Sequence, residues 1–148
     1  MEIIHLTPAH PLWNVTIDFA ENCSWVAGKH LAGMMRENRF VGWETMFAAV
    51  EDGVPVGYCT FLKEDYYPEN RYFPWISSIF VTEALRRRRI CGQLIAAACE
   101  YARSVGFLRV YIPTDITGLY EKYGFEMIDT LTNYAGDVDM IFTKVLRE

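Results

Sequence analysis

The chain lacks the long apolar run that a membrane-spanning helix requires. None of its 148 residues lies in an uninterrupted hydrophobic stretch of roughly 18 residues. The opening segment, MEIIHLTPAHPLW, also lacks the basic start and the continuous apolar segment of a secretion signal. We therefore expect a cytoplasmic protein that makes no membrane contact.

The patterns of metal sites, disulfides and nucleic-acid-binding surfaces are also missing. The three histidines have no metal-ligand spacing, and the four cysteines include no C-x-x-C pair. We interpret the cysteines as reduced and mostly buried thiols: Cys23, Cys59, Cys91 and Cys99. The net charge of −5 argues against nucleic-acid binding and is compatible with a cationic amine as substrate.

The chain has enough apolar sequence for one domain of 148 residues, because 51% of its residues are hydrophobic and 15% are aromatic. Residue periodicity predicts a mixed α/β fold with about seven strands and four helices. We expect strands at Met1–Leu6, Trp43–Val50, Val54–Leu62, Trp75–Val81, Leu108–Ile112, Met127–Leu131 and Asp137–Lys144. We expect helices at Leu12–Glu21, Gly28–Asn38, Ile90–Val105 and Thr117–Tyr123.

Two glycine-containing segments refine this prediction. Asp52 and Gly53 stand between two apolar runs, which is typical of a tight hairpin. Gly57, inside the second of those runs, indicates a bulge or close packing. We therefore expect the early strands to be antiparallel and only the centre of the sheet to be parallel.

The predicted centre of the fold is the strand, helix and strand from Trp75 to Ile112. Short joints between these elements favour a βαβ unit with parallel strands. Such units bind ligands at the carboxyl ends of their strands and at the helix N-terminus. The joint Thr82–Cys91 contains four consecutive arginines, Arg86 to Arg89, at that N-terminus. Cations are unfavourable there unless an anion arrives, so the run predicts a phosphate or pyrophosphate site, the alternative being a solvated basic turn.

Two motifs in this region resemble the GNAT N-acetyltransferase superfamily. The first is a strand end followed by Arg/Gln-x-x-Gly-x-Gly/Ala at the start of a long helix, and it matches Val81, Arg86, Arg89 and Cys91. The second is an aromatic residue or leucine, a tyrosine, three residues and then Gly-Phe, and it matches the run from Leu119 to Phe125. The resemblance implies an acyl-CoA N-acyltransferase fold over most of the chain, with acetyl-CoA as cosubstrate.

The resemblance also implies where acetyl-CoA is bound. The pantetheine arm would pair with the backbone of Ile79, Phe80 and Val81, and Ser77 and Ser78 would form a bulge that frees an N–H for the thioester oxygen. The pyrophosphate would rest on the amides of the segment Arg86, Arg87, Arg88, Arg89, Ile90, Cys91 and Gly92. Arg87 or Arg88 would meet the 3′-phosphate. Tyr123 is interpreted both as a cofactor contact and as a residue packed against the core.

Three positions depart from the family pattern. Glu83 replaces the usual proline, and Arg89 and Cys91 replace small residues, usually glycines, that let the backbone approach the pyrophosphate. We expect these larger side chains to point outward from a helical backbone, which needs no positive φ.

The catalytic acid and the acceptor site are assigned from the same resemblance. Tyr120 would protonate the departing thiolate, the alternative being a structural tyrosine. Candidate acceptor contacts are Trp25, His30, Phe40, Asp65, Tyr66, Ser77 and Asp115, the first three being alternatively core residues. The segment Lys63–Phe73 is either an exposed connector or a wall of the acceptor site. The general base stays open between Glu64, Asp65, Glu69, Asp115 and water.

The sequence therefore favours direct transfer of an acetyl group from acetyl-CoA to a primary amine, expected to be a small molecule. The alternative is a non-catalytic acyl-CoA-binding or regulatory module, which the residues Arg89 and Cys91 motivate. Edge strands near the C-terminus of such folds often pair, so a homodimer is an additional expectation.

Overall fold

The computed structural model describes residues 1–147. Within that range the chain forms seven strands and three α-helices. In order these are β1 (Glu2–Leu6), α1 (Trp13–Asn22), α2 (Ala27–Arg36), β2 (Thr45–Glu51), β3 (Val54–Leu62), β4 (Trp75–Val81), α3 (Ile90–Ser104), β5 (Arg109–Thr114), β6 (Glu126–Thr132) and β7 (Val138–Val145). The predicted mixed α/β class and the number of strands are confirmed.

The predicted fourth helix, Thr117–Tyr123, is wrong in extent. Only Glu121–Tyr123 is helical, as one 3₁₀ turn. The amide of Gly118, which precedes this turn, donates to the carboxylate of Glu121 at 3.1 Å. Gly124 ends it in the left-handed region with φ of 91°. So short a segment cannot offset the cost of nucleating an α-helix.

The strands form one sheet of order β1-β2-β3-β4-β5-β7-β6 across the described residues. Strand β1 runs antiparallel to β2, from Glu2 opposite Val50 to Leu6 opposite Met46. Strand β7 lies antiparallel to both β5 and β6. Strands β4 and β5 are parallel, and their register within residues 1–147 is the single pair Trp75 and Tyr111. The parallel centre with antiparallel flanks is confirmed.

The hairpin between β2 and β3 is also confirmed. Asp52 and Gly53 have φ values of 52° and 77°, as a two-residue type I′ turn requires. Gly57 on β3 lies so close to β4 that a Cβ at this position would be 2.7 Å from the carbonyl oxygen of Phe80. Strand β3 therefore packs closely against the backbone of β4 at Gly57, and the expected close packing is confirmed.

The chain divides into two units, of which the first comprises Met1–Thr60 and Ser78–Ala98. Its core lies where the apolar faces of α1 and α2 pack with the early strands. The largest members of this cluster are Leu6, Trp13, Ile17, Leu31, Met35, Met46, Tyr58 and Phe80. Because Phe80 belongs to β4, this core fixes the strand that leads into the arginine-rich joint.

The second unit comprises Phe61–Ser77 and the chain from Cys99 onward. Its buried cluster contains Tyr67, Trp75, Leu131 and Ile141. Trp75 is fully buried, and its indole N–H donates to the side-chain oxygen of Asn70 at 3.0 Å. A buried indole needs such a partner, so this hydrogen bond fixes the loop before β4 against the start of that strand.

Candidate functional site

Strand β4 is irregular at the point where the sequence predicts a bulge. Ser78 has φ of 50°, although it lies inside the strand, and its neighbour Ser77 is buried. A left-handed residue inside a strand disrupts the hydrogen-bond ladder and turns the backbone groups beside it. The irregularity lies just before Ile79, Phe80 and Val81.

The joint from β4 to α3 has a strained backbone. It leaves the sheet at Thr82, whose amide donates to Val56 O at 2.9 Å, and passes through a 3₁₀ turn at Glu83–Leu85. Arg87 and Arg89 then have φ values of 74° and 63°. The left-handed region costs a residue with a Cβ roughly 1–2 kcal/mol. The expectation of a helical φ at Arg89 is therefore wrong, because the reversal from strand to helix requires the backbone that glycine usually supplies.

The first amides of α3 point out of the helix. Its first i→i−4 hydrogen bond runs from the amide of Gln93 to the carbonyl of Arg89, at 3.2 Å. The amides of Ile90 and Gly92 precede that bond, so they have no acceptor within the helix. These dipoles carry the partial positive charge of the helix start and suit an anion.

The four arginines separate into two pairs. Arg86 donates from Nε to the carbonyl of Val81 at 3.0 Å, and its guanidinium lies 5.7 Å from the centre of the Phe80 ring. Arg88 forms an ion pair with Glu51, with Nη2 and Oε1 3.0 Å apart. Arg87 and Arg89 have no side-chain partner among residues 1–147. The two left-handed residues are therefore the ones whose charges remain available to an anionic ligand.

Substitutions at Arg89 should reveal the left-handed backbone. Arg89→Asn and Arg89→Val both remove the charge, but asparagine tolerates this conformation and a β-branched residue does not. We expect the valine variant to be less stable by roughly 1–2 kcal/mol, which lowers the melting temperature by about 3–6 °C relative to the asparagine variant.

Thermal unfolding of both variants measures this difference, and the same two substitutions at Arg88 are the matched control. Arg88 is not among the residues of positive φ. Its two variants lose the same ion pair and should melt close together. Equal melting of the two Arg89 variants would contradict the assigned backbone.

Glu83, at the position where the family has proline, connects the joint to the segment between α1 and α2. Its carboxylate accepts a hydrogen bond from the hydroxyl of Ser24. That bond, followed by the backbone amide of Glu83 itself, lowers the pKa of the Glu83 carboxyl. The departure from proline therefore supplies a contact that proline could not make.

An aromatic stack lies beside β4. The Trp25 and Phe80 rings are nearly parallel, with centroids 6.3 Å apart, and Phe80 stacks in turn on Tyr58 at 5.6 Å. Trp25 is 40% exposed, so one part of its indole faces solvent. Phe40 instead packs edge-on against Trp13, with ring centroids 6.2 Å apart, so it has the core role that was the alternative to substrate contact. His30 is exposed on α2.

Tyr120 is buried in the second unit. Its ring contacts Phe125 and Phe142, both with centroids 6.5 Å away. Its carbonyl accepts hydrogen bonds from the amides of Tyr123 and Phe125, which fixes the backbone on both sides of the 3₁₀ turn. Tyr123 is half-buried, and its carbonyl accepts from Lys144 Nζ at 2.9 Å.

The loop Lys63–Phe73 is exposed over most of its length, as one of the two expectations had it, and it is also anchored to the β6–β7 hairpin. The hydroxyl of Tyr67 donates to Asp139 at 2.8 Å, and that of Tyr72 donates to Asp129 at 2.6 Å. Burial and then the bond to Asp139 raise the pKa of Tyr67, while the bond from Tyr72 is the main cause of a lowered pKa at Asp129. Two tyrosines of this loop, Tyr67 and Tyr72, therefore have structural partners.

The remaining acceptor candidates are spread over loops. Asp65 is half-buried, and one of its oxygens accepts from the amide of Tyr66 at 2.6 Å. The exposed ring of Tyr66 contacts Tyr134, with centroids 5.3 Å apart. Asp115 is exposed after β5. The described residues contain no metal-ligand cluster, and none of their helices is long and apolar enough to span a membrane.

Sequence reasoning missed the residues that hold the site from a distance. Glu51 is 37 positions from Arg88, and Asp129 and Asp139 are distant in sequence from the tyrosines that they bind. No local pattern links such partners, and only the register of the strands brings them together.

Comparison with known proteins identifies one family. The model of the acetyltransferase (GNAT) family matches residues 12–125. Acetyltransferase Atu2258 of Agrobacterium fabrum is 40% identical over 60 residues, which cover 38% of this chain and 44% of that protein. The chain thus aligns with less than half of this relative.

Solved structures show the same fold at low identity. The aminoglycoside 6'-N-acetyltransferase from Enterococcus faecium superposes with a TM-score of 0.77 at 16% identity, over 100% of this chain and 98% of that one. A GNAT family acetyltransferase from Elizabethkingia anophelis with acetyl-CoA bound gives 0.67 at 18% identity, over 98% and 97% of the two chains. These likenesses carry information on the fold alone.

Proposed function

The chain belongs to the acetyltransferase (GNAT) family, and from this premise we propose that it transfers the acetyl group of acetyl-CoA directly to a primary amine of a small molecule. The family match enters both units of the chain, which supports an acetyltransferase domain spanning residues 1–148. A cytoplasmic location and a homodimer are parts of the same proposal.

The observation that carries the proposal is the joint between β4 and α3. Its left-handed residues Arg87 and Arg89 and the outward amides of the first turn of α3 provide the donors that a pyrophosphate needs. The side chains of the same two arginines supply the charge that offsets the phosphates. The donor set therefore fits acetyl-CoA although the usual glycines are absent.

Strand β4 would hold the rest of the cofactor. Its register with β5 is the single pair Trp75 and Tyr111 in the described residues, which supports pairing of the pantetheine arm with Ile79, Phe80 and Val81. The left-handed Ser78 supports the proposal that the irregularity of β4 frees an N–H for the thioester oxygen. Arg86 would steady the end of the strand through its bond to Val81 O.

Acetyl-CoA supplies an activated thioester, and the protein has to manage the protons of the reaction. The amine must lose a proton before attack, and the departing thiolate must gain one. Tyr120 is the proposed donor, since a phenol has a pKa of about 10 in water and stays protonated at neutral pH. Direct attack by the amine requires no acyl-enzyme.

Six residues are candidates for binding the acceptor amine. The contacts that we propose are Trp25, His30, Asp65, Tyr66, Ser77 and Asp115. Aromatic rings and carboxylates bind ammonium groups well, and the net charge of −5 favours a cationic acceptor. The aminoglycoside acetyltransferase among the similar folds supports a small molecule with amino groups as the substrate class.

A non-catalytic acyl-CoA-binding module is the second candidate. The specific observation that favours it is that Arg89 and Cys91 stand where the family pattern has small residues, usually glycines, with Arg89 in the left-handed region. Such a protein would bind acetyl-CoA without consuming it in the presence of any amine.

Thermal unfolding with and without saturating acetyl-CoA tests the proposal, with ADP as the control nucleotide. Ligand at about 100 times its Kd adds about 2.7 kcal/mol, which raises the melting temperature of a chain of this size by roughly 5–10 °C. A panel of amines then separates the two candidates through release of free CoA. No rise with acetyl-CoA would overturn both candidates, and a rise without turnover would favour the binding module.

A further inference from the structure

Glu51 contacts the arginine-rich joint from a part of the chain that no motif includes. It is the last residue of β2, beside the hairpin turn, and its Oε1 lies 3.0 Å from Nη2 of Arg88. The side chain of Glu51 is 28% exposed and that of Arg88 is 53% exposed. The carboxylate is therefore partly shielded from solvent and held by a sheet strand, while its partner lies on a loop.

The position of Arg88 gives this ion pair a particular consequence. Arg88 lies between Arg87 and Arg89, both in the left-handed region. Residues in such conformations persist only where the surroundings hold them. Before the strained segment, the joint is held by the bond from Arg86 to Val81 O, and after it by the bond from Gln93 to Arg89 O. The ion pair with Glu51 is the side-chain contact that holds the middle of the segment.

We propose that Glu51 is a positioning residue for acetyl-CoA, acting through Arg88. This inference rests on the proposed function, because it assigns the strained segment to the phosphates of the cofactor. By holding Arg88 against the hairpin, Glu51 keeps the amides of residues 87–90 in the arrangement that receives an anion. Because the segment is already ordered before acetyl-CoA arrives, binding does not carry the free-energy cost of ordering it, which is the advantage of a preorganised site.

A carboxylate near a phosphate site also has an opposing effect. Its negative charge repels the anion, so removal of the charge alone should strengthen binding slightly. The two effects are separable because glutamine keeps an oxygen that accepts from Arg88 but has no charge, whereas alanine loses both. Asp52, the next residue, offers a carboxylate on the same hairpin without a described contact to Arg88. Its φ of 52° is one that asparagine adopts readily.

The test measures the Kd for acetyl-CoA by calorimetry in four proteins: wild type, Glu51→Ala, Glu51→Gln and Asp52→Asn. We expect Glu51→Ala to raise the Kd about three- to fivefold, the range of one exposed ion pair. Glu51→Gln and Asp52→Asn should bind as tightly as wild type or slightly more tightly. Amide hydrogen exchange of the ligand-free proteins adds a readout without cofactor: exchange at the hydrogen-bonded amides of Arg86 and Gln93 should rise in Glu51→Ala only.

The outcomes separate this inference from the proposed function. If wild type binds acetyl-CoA and Glu51→Ala has the Kd and the exchange of Asp52→Asn, Glu51 does not position the segment and the inference is overturned. Tighter binding by Glu51→Ala would show that the carboxylate only competes with the phosphates, which also overturns it. If wild type itself does not bind acetyl-CoA, the proposed function fails first, and the inference fails with it.

Discussion

Replacement of Tyr120 with phenylalanine is expected to lower kcat about 100-fold, the lower end of what a positioned general acid contributes. The ring should keep its place, because it is only 8% exposed and packs against Phe125 and Phe142. Phenylalanine fills the same space, so the Kd for acetyl-CoA and the melting temperature should stay close to those of wild type. The loss would then belong to the hydroxyl.

Steady-state kinetics with the best amine of the panel, followed through release of free CoA, measure this effect. Tyr101→Phe is the control, since it removes a half-buried phenol, on α3, that has no proposed role in the reaction. A Tyr120→Phe protein with unchanged kcat would mean that the proton comes from another group.

The strands and the long helix were predictable because their periodicity is local. The bounds of Val54–Leu62 and Trp75–Val81 match the predictions residue for residue, and α3 begins at Ile90 as expected. Each of these segments has a continuous apolar run or a clear helical period, bounded by turn residues. Where such patterns exist, burial of the apolar face determines whether the segment forms a strand or a helix, because no long-range contact opposes the local preference.

The backbone of the arginine run was not predictable in the same way. Arginine has no preference for the left-handed region, so residue type argues for a helical Arg89. Connectivity overrides that preference, because the chain must leave β4 and start α3 within a few residues. The glycines of the family pattern indicate a left-handed backbone at these positions. A larger residue at Arg89 keeps that backbone conformation and makes it energetically more costly, whereas the prediction assumed that the conformation itself would change.

The roles of the tyrosines depended on partners far away in sequence. Composition alone does not separate the loop tyrosines with structural partners from the others. The hydrogen bonds of Tyr67 and Tyr72 to Asp139 and Asp129 result from the position of the β6–β7 hairpin. Position in the sheet, and not residue type, therefore gives these two tyrosines their structural role.

The largest expected change in stability concerns Gly28, near the start of α2. A Cβ at this position would lie 2.2 Å from the carbonyl oxygen of Ala20 and 2.6 Å from the sulfur of Cys23. The oxygen belongs to the backbone of α1 and cannot move without shifting that helix. We expect Gly28→Ala to destabilise the protein by about 3 kcal/mol, the upper range for an overpacked core, and to lower the melting temperature by roughly 6–12 °C.

The same substitution at Gly33 should have the opposite sign. Gly33 also lies in α2 and also lacks a positive φ, but the nearest atom to its added Cβ is the flexible end of Arg39, at 3.4 Å. Alanine should therefore stabilise this position by about 0.5–1 kcal/mol through helix propensity, with a rise of roughly 1–4 °C. Two identical changes in one helix thus separate propensity from packing.

Thermal unfolding of the two alanine variants measures both changes in melting temperature. A protein in which Gly28→Ala melts as high as Gly33→Ala would contradict the close contact of α1 and α2. If the predicted loss is found, the consequence reaches the acceptor candidates, since the segment with Trp25 joins these two helices and its indole stacks on Phe80 of β4. Gly28→Ala should then also raise KM for the amine, because separation of the helices displaces Trp25.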